Sequence, residues 1–224
     1  MVKKVPVEKK VLSENDRIAA EIRGRLKDLG LLSLNLVSSP GSGKTTLLEK
    51  TLEALSDKLK LVLIAGDVQT ENDAARLVKA GGTDVHPIVT RGSCHLDANM
   101  VNKVLTEISL DRADLLIIEN VGNLVCPSSY DLGEDGKVVF VSVTEGDDKP
   151  LKYPGMFRRS SLMIVSKLDL LPHCQFDVAV AIENARTINN DIEVIQLSSF
   201  TGEGMDKWYD WLKRKIEDKK QAEK

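Results

Sequence analysis

The sequence has few cysteines: three in 224 residues, Cys94, Cys126 and Cys174. An odd, low count argues against a disulfide framework, so each thiol is read as reduced: a small packing residue, a ligand or a nucleophile. Long apolar runs are also missing. The runs present, such as Leu115 to Ile118 and Val138 to Val141, are strand-sized and fall well short of the roughly 18 residues a membrane helix needs. Charge of one sign is missing too: 31 Lys and Arg face 34 Asp and Glu, a net charge of -3. That gives no bulk electrostatic case for nucleic acid or a membrane surface. The opening stretch MVKKVPVEKK is basic but carries no apolar signal-peptide core, so a cytoplasmic location is expected. There is no internal repeat and no low-complexity linker. The expected organisation is an extension over 1–12, a single domain over 13–218 and a frayed, solvated tail over 219–224.

Strand-like and helix-like segments alternate along the domain. Strands are expected near 31–37, 60–65, 85–89, 114–119, 138–143, 161–166 and 192–197. Helices are expected near 44–57, 71–80, 94–108, 176–189 and 204–218. An earlier helix is signalled by the capping-box pattern Ser13-Glu14-Asn15-Asp16, with Ile18, Ile22, Leu26 and Leu29 on one face and Gly30 as its stop. The strands are short, apolar and rarely alternating, as parallel strands buried on both faces are. The expected fold is α/β, with a doubly wound, mostly parallel sheet.

After the first expected strand comes Ser38-Ser39-Pro40-Gly41-Ser42-Gly43-Lys44-Thr45. This is the phosphate-loop frame G-x-x-x-x-G-K-[ST] with Ser38 in the first glycine position. Gly41 and Gly43 allow backbone N–H groups to turn around an anion, with Ser42 between them. Lys44 supplies a point charge to the β- and γ-phosphates, and Thr45, followed by Thr46, offers a hydroxyl to Mg²⁺. The helix beyond points its positive end at the phosphates. A plain Gly/Ser-rich turn has no need of Lys-Thr between a buried strand and a helix. The loop is read as a nucleoside triphosphate site.

Ser166-Lys167-Leu168-Asp169 follows the sixth strand, where guanine-specific P-loop proteins commonly carry Asn-Lys-x-Asp. Asp169 suits the donor pair of guanine, and the Lys167 stem suits the flat face of the base. Ser166 departs from the pattern and is expected to weaken the scaffolding around the base. Ser198, after the last strand, is a candidate further contact. Asp67 and Glu119 end buried strands, where carboxylates face the ligand crevice of an open α/β sheet. Both are candidates for Mg²⁺, directly or through water. Lys44, Thr45, Asp67 and Glu119 form the candidate catalytic set. Gly122 is a candidate γ-phosphate sensor. No glutamine after it offers itself to position water.

Cys94-His95 lies between the third strand and the next helix, and Ser93 is a candidate cap that would leave Cys94 at the helix N-terminus. Cys126 follows the Glu119 segment. Thiolate and imidazole suit Ni²⁺ and Zn²⁺ alike. Adjacent residues are poorly placed to close a tetrahedral site alone, which suggests completion by a second subunit or an exchangeable ligand. Packing cysteines are the competing reading. A second pair, His173-Cys174, has no evident third ligand and reads as incidental, and His86 reads as structural.

The ordered set SSPGSGKTTLLE, IAGDVQTENDA, CHLDANMV, DLLIIENVGNLVCP, TEGDDKPLKYP and SKLDLLP resembles the hydrogenase-maturation nickel-incorporation GTPases, the HypB family of SIMIBI-class P-loop proteins. The resemblance runs from about residue 13 to about residue 215; CHLDA and ENVGNLVCP are its specific parts. It implies a low-turnover GTPase that helps deliver Ni²⁺ to the large subunit of [NiFe]-hydrogenase. It implies a homodimer favoured by GTP, with Cys94, His95 and Cys126 as ligands at an interfacial site. It also implies cooperation with a zinc-binding maturation protein and a nickel-carrying chaperone. Residues 1–12 hold no cysteine and the chain has only three histidines, so the N-terminal nickel site and the His-rich tract of some members are absent from it. A urease accessory GTPase is the nearest alternative, but its interface motif is Cys-Pro-His. A small-molecule kinase on the same fold would leave the base-reading loop and the Cys/His set unexplained.

Overall fold

The computed structural model describes residues 7–222, with side chains described from residue 10. Seven strands form one parallel sheet: β1 (Leu32–Val37), β2 (Leu61–Asp67), β3 (Val85–Val89), β4 (Leu115–Glu119), β5 (Gly136–Ser142), β6 (Ser160–Ser166) and β7 (Glu193–Gln196). Their order across the sheet is β3-β2-β4-β1-β5-β6-β7. β1 thus sits between β4 and β5, and chain connections leave it in opposite directions. In an open α/β sheet that switch point opens the ligand crevice beyond the strand C-termini.

Helices cover both faces: α1 (Val7–Asp28), α2 (Lys44–Leu55), α3 (Asn72–Lys79), α4 (Ala98–Glu107), α5 (Lys149–Lys152), α6 (Pro154–Arg158), α7 (Val178–Ile188) and α8 (Met205–Ala222). Every residue of β1 and β4 is buried; β4 accordingly reads as an apolar run up to Glu119 rather than an alternating one, whereas β1 buries Ser33 and Asn35 among its apolar residues. One face packs Leu34, Leu36 and Phe140 against Leu48 of α2 and Trp208 of α8. The other packs Ile64 and Ile118 against Ile22 of α1 and Val101 of α4, while Val139 and Val141 meet Phe157 and Ala181. Trp208 is fully buried, and its indole N–H donates to Thr51 Oγ1 at 2.9 Å.

Four local features differ from the sequence reading. α1 is already helical at Val7, so Ser13 lies inside it, and its hydroxyl donates to Lys10 O rather than capping a start. Residues 1–6 of the expected extension lie outside the described residues. α4 begins at Ala98, later than expected, because Asp97 accepts from Met100 N at 2.8 Å and makes the cap. α8 continues through Ala222 rather than fraying at 219: Lys219 bonds Asp135 and Lys220 bonds Asp114. α5 and α6 were not expected; each is a short helix with proline in its first turn. Among the described residues no helix is long and apolar enough to cross a membrane.

Candidate functional site

The loop from Ser38 to Lys44 leaves β1 at the switch point and enters α2. Gly41 and Gly43 have φ of 72° and 97°, the left-handed region that glycine adopts without a Cβ penalty. Two glycines therefore let the chain curl while keeping N–H groups inward. Lys44 is buried and donates to Ser38 Oγ at 2.8 Å. The serine that replaces the first glycine of the motif thus holds the lysine head. Burial depresses the Lys44 pKa, with Glu119, Asp73 and Glu145 opposing that shift. The loop is also tied from outside. Ser42 Oγ lies 2.8 Å from Glu145 Oε1, and Lys149 Nζ donates to Ser39 Oγ at 2.6 Å. Thr46 accepts from Arg76 at 3.2 Å.

A cavity of about 490 Å³ opens over this loop, lined among others by Lys44, Thr45, Asp67, Arg76, Glu119 and Lys167. Glu119 closes β4 and is only 3% exposed. Its Oε1 accepts from Thr45 Oγ1 at 2.6 Å, while its Oε2 is buried with no hydrogen-bond partner. Burial pushes its pKa up to about 6, against the pull of Lys44 and the Thr45 hydroxyl. An orphaned carboxylate oxygen beside a hydroxyl is a donor set that fits a hard divalent cation such as Mg²⁺. Asp67 ends β2, and its Oδ1 accepts from Gln69 N at 2.8 Å and Thr70 N at 3.1 Å. Those backbone bonds, Gln69 first, hold its pKa below the ordinary carboxylate value. Gly122 sits against the loop: a Cβ there would stand 2.8 Å from Pro40 Cα.

On the far side of the loop, Lys167 has φ of 62°, and its stem passes over Gly43. Asp169 Oδ1 accepts from Ser198 Oγ at 2.5 Å. Ser198 is buried and also receives Phe200 N and Thr201 N, each at 3.2 Å, so it fixes the carboxylate to the loop after β7. Ser166 Oγ donates to Ser42 O at 2.8 Å. A short hydroxyl thereby links the Ser166–Asp169 loop to the phosphate loop.

The cysteines converge about the outer end of the Glu119 segment. Cys94 Sγ and Cys126 Sγ are 3.2 Å apart, and Cys94 Sγ is 3.8 Å from His95 Nδ1. One donor atom from each of Cys94, His95 and Cys126 lies within 4.8 Å of the others. All three come from one chain, although the neighbours Cys94 and His95 alone could not enclose an ion. They are brought together because Pro127 turns Cys126–Ser128 into a 3-10 helix and Asn123 donates to Cys94 O at 3.2 Å. Cys94 precedes the α4 cap, Asp97, by three residues, so it is not at the helix N-terminus. The His95 ring packs on Tyr130 with centroids 4.0 Å apart. Burial lowers the His95 pKa, favouring the neutral imidazole a metal requires. The Cys126 thiol is raised, chiefly through its contact with Cys94 and then by burial.

Cys174 is half-buried against the cluster that holds Phe157, and His173 ends a 3-10 helix over Leu168–His173. His86 lies 2.6 Å from Asp84. The sequence reading missed Glu145, Asn120, Asn123 and Tyr130. Glu145 lies just beyond the C-terminal end of β5, a position that could have marked it. Asn120, directly after β4, shares that signal, whereas Asn123 and Tyr130 carry no local one.

The nucleotide-binding domain model described as CobW/HypB/UreG matches residues 33–196. The hydrogenase maturation factor HypB of Azotobacter vinelandii is 53% identical over 208 residues, covering 93% of this chain and 68% of that protein. The crystal structure of HypB from Archaeoglobus fulgidus superposes with a TM-score of 0.84 at 38% identity, covering 91% of this chain and 99% of that one. HypB from Helicobacter pylori, solved in complex with nickel, gives a TM-score of 0.84 at 42% identity, covering 92% and 96%. The loop, the strand-end carboxylates and the cysteine cluster thus lie in a chain that belongs to the HypB family of hydrogenase maturation factors.

Proposed function

We propose that this chain is a slow GTPase that carries Ni²⁺ and releases it toward the large subunit of [NiFe]-hydrogenase. The observation that supports this best is the placement of two donor sets on one segment. Glu119 begins the segment beside Thr45, and Cys126 ends it beside Cys94 and His95. A change at one end has seven peptide bonds in which to reach the other.

Gly41, Ser42 and Gly43 hold the phosphates through backbone N–H groups, and Lys44 leaves Ser38 to reach the β- and γ-oxygens. Thr45, Glu119 and Asp67 would hold Mg²⁺, directly or through water. When bound, it neutralises charge between those oxygens. Lys167 covers the base, and Asp169, oriented by Ser198, accepts from its donor pair. Adenine lacks that pair and would leave the carboxylate unmatched. Gly122 approaches the γ-phosphate through its N–H, and its departure on hydrolysis relaxes the segment to Cys126.

Cys94, His95 and Cys126 bind the nickel cargo, leaving a coordination position for a second subunit or an exchangeable ligand. Zn²⁺ suits the same donors. GTP favours a homodimer, the exchange partners being a zinc-binding maturation protein and a nickel-carrying chaperone. The expected compartment is the cytoplasm.

Two variants test the two halves separately. Lys44→Ala abolishes multiple-turnover GTP hydrolysis while leaving thiolate-to-nickel charge transfer in place. Cys126→Ala does the reverse. Unchanged nickel binding in Cys126→Ala would remove this ligand set, and undiminished hydrolysis in Lys44→Ala would remove the phosphate-loop assignment.

A further inference from the structure

Asn120 stands between the two donor sets. It follows Glu119 at the end of β4 and is 1% exposed. Its Oδ1 accepts from Leu96 N at 3.2 Å and from Val121 N at 2.9 Å. Its Nδ2 donates to Asn35 Oδ1 at 3.2 Å, and its own N–H bonds Leu36 O at 2.9 Å. Asn35 donates in turn to Glu134, which pairs with Lys137 and accepts from Leu132 N. The side chain is therefore braced from β1 and spans to the loop that carries Cys94 and His95.

Leu96 follows His95 and is fully buried. Its side chain lies over Gly66, where a Cβ would stand 2.8 Å from Leu96 Cδ1. A buried amide N–H is costly without a partner, and that of Leu96 is met by Asn120. The backbone leaving His95 is thus held by a side chain one residue from the carboxylate that bonds Thr45. If Glu119 moves inward, Asn120 moves with it, and Leu96 must follow or lose its acceptor. Asn123, itself half-buried, makes a parallel link to Cys94 O, but that bond is exposed, where water competes for it. The buried link is the stiffer of the two.

We propose that Asn120 is a positioning residue that transmits the state of the nucleotide pocket to the cysteine–histidine cluster. The inference rests on the reading of this chain as a nucleotide-gated nickel carrier. A purely structural Asn120 would alter stability but not the coupling between the two sites, so the coupling is the quantity to read.

Nickel is titrated into the full chain holding GDP, then a non-hydrolysable GTP analogue, for the parent, Asn120→Ala and Asn123→Ala. The parent is expected to show a ratio of nickel dissociation constants on the order of 5–150-fold between the two states. Asn120→Ala brings that ratio to within about twofold of one, with guanine nucleotide affinity and the thiolate–nickel band retained. Asn123→Ala keeps most of it. A parent-like ratio in Asn120→Ala overturns the proposal. A ratio of one in the parent instead overturns the carrier reading on which it rests. If Asn120→Ala does not fold, hydrogen exchange of the parent decides: the Leu96 amide should exchange at different rates in the two nucleotide states, and equal rates overturn the proposal.

Discussion

Glu119 is a carboxylate buried beside a lysine and a hydroxyl, with one oxygen unmatched. Its pKa of about 6 lies above the ordinary value of 4.5. The folded chain therefore holds a proton there that the unfolded chain has lost between pH 4.5 and 6. Stability from this group falls as pH rises through that window and stays reduced above it. Glu119→Gln removes the penalty. Denaturant melts of the nucleotide-free protein should show the variant more stable by about 2 kcal/mol at pH 7, and equal to the parent below pH 4.5. Hydrolysis should fall in the same variant, because the anionic oxygen is gone. Asp169 gives a second residue-scale prediction. Ser198→Ala frees its carboxylate and should weaken GDP binding about fivefold to tenfold, the equivalent of about 1 kcal/mol for one hydrogen bond. Calorimetric titration would read it, and unchanged affinity would deny Ser198 its orienting role.

Elements explain what the sequence could and could not disclose. The strands were legible because parallel strands buried on both faces leave continuous apolar runs; Leu115 to Ile118 is one. The phosphate loop was legible because its chemistry is contiguous: two glycines, a lysine and a threonine, all within one turn. Boundaries fixed by distant partners were not. Lys219 and Lys220 look solvated in sequence, yet Asp135 and Asp114 lie more than 80 positions earlier and hold the last turn of α8. The start of α4 turned on which of two polar residues caps it, and Asp97 displaced Ser93. The convergence of Cys126 on Cys94 spans 32 positions, so residue chemistry left packing as a live alternative and the family resemblance was needed to name the ligand set. Deleting residues from Lys219 onward should cost no more than about 1 kcal/mol for each lost surface pair. A thermal melt would show it, and loss of cooperative unfolding would mean the tail does more. Gly122→Ala is the opposite case. Its Cβ would stand 2.8 Å from Pro40 Cα, so the Glu119 segment must retreat from the phosphate loop, and GTP affinity should fall more than GDP affinity.

At the scale of the molecule, the sheet places both candidate sites beyond the C-terminal ends of its strands. β1 and β4 are neighbours; one feeds the phosphate loop and the other feeds the segment that ends at Cys126. The fold thus sets the two sites side by side, with Asn120 as the buried link between them. Nickel binding at the cluster requires thiolate and neutral imidazole, so nickel affinity should drop as pH falls, with protons released on binding. By linkage, whatever nucleotide does to nickel, nickel must do to nucleotide by the same factor. The most direct measurement is a nickel titration of the parent chain holding GDP and then a non-hydrolysable GTP analogue, with charge transfer and molecular mass followed together. A nucleotide-dependent nickel affinity, accompanied by a dimer in the analogue-bound state, is the predicted result. Identical nickel binding in both states would contradict the coupling, even if each site proved real.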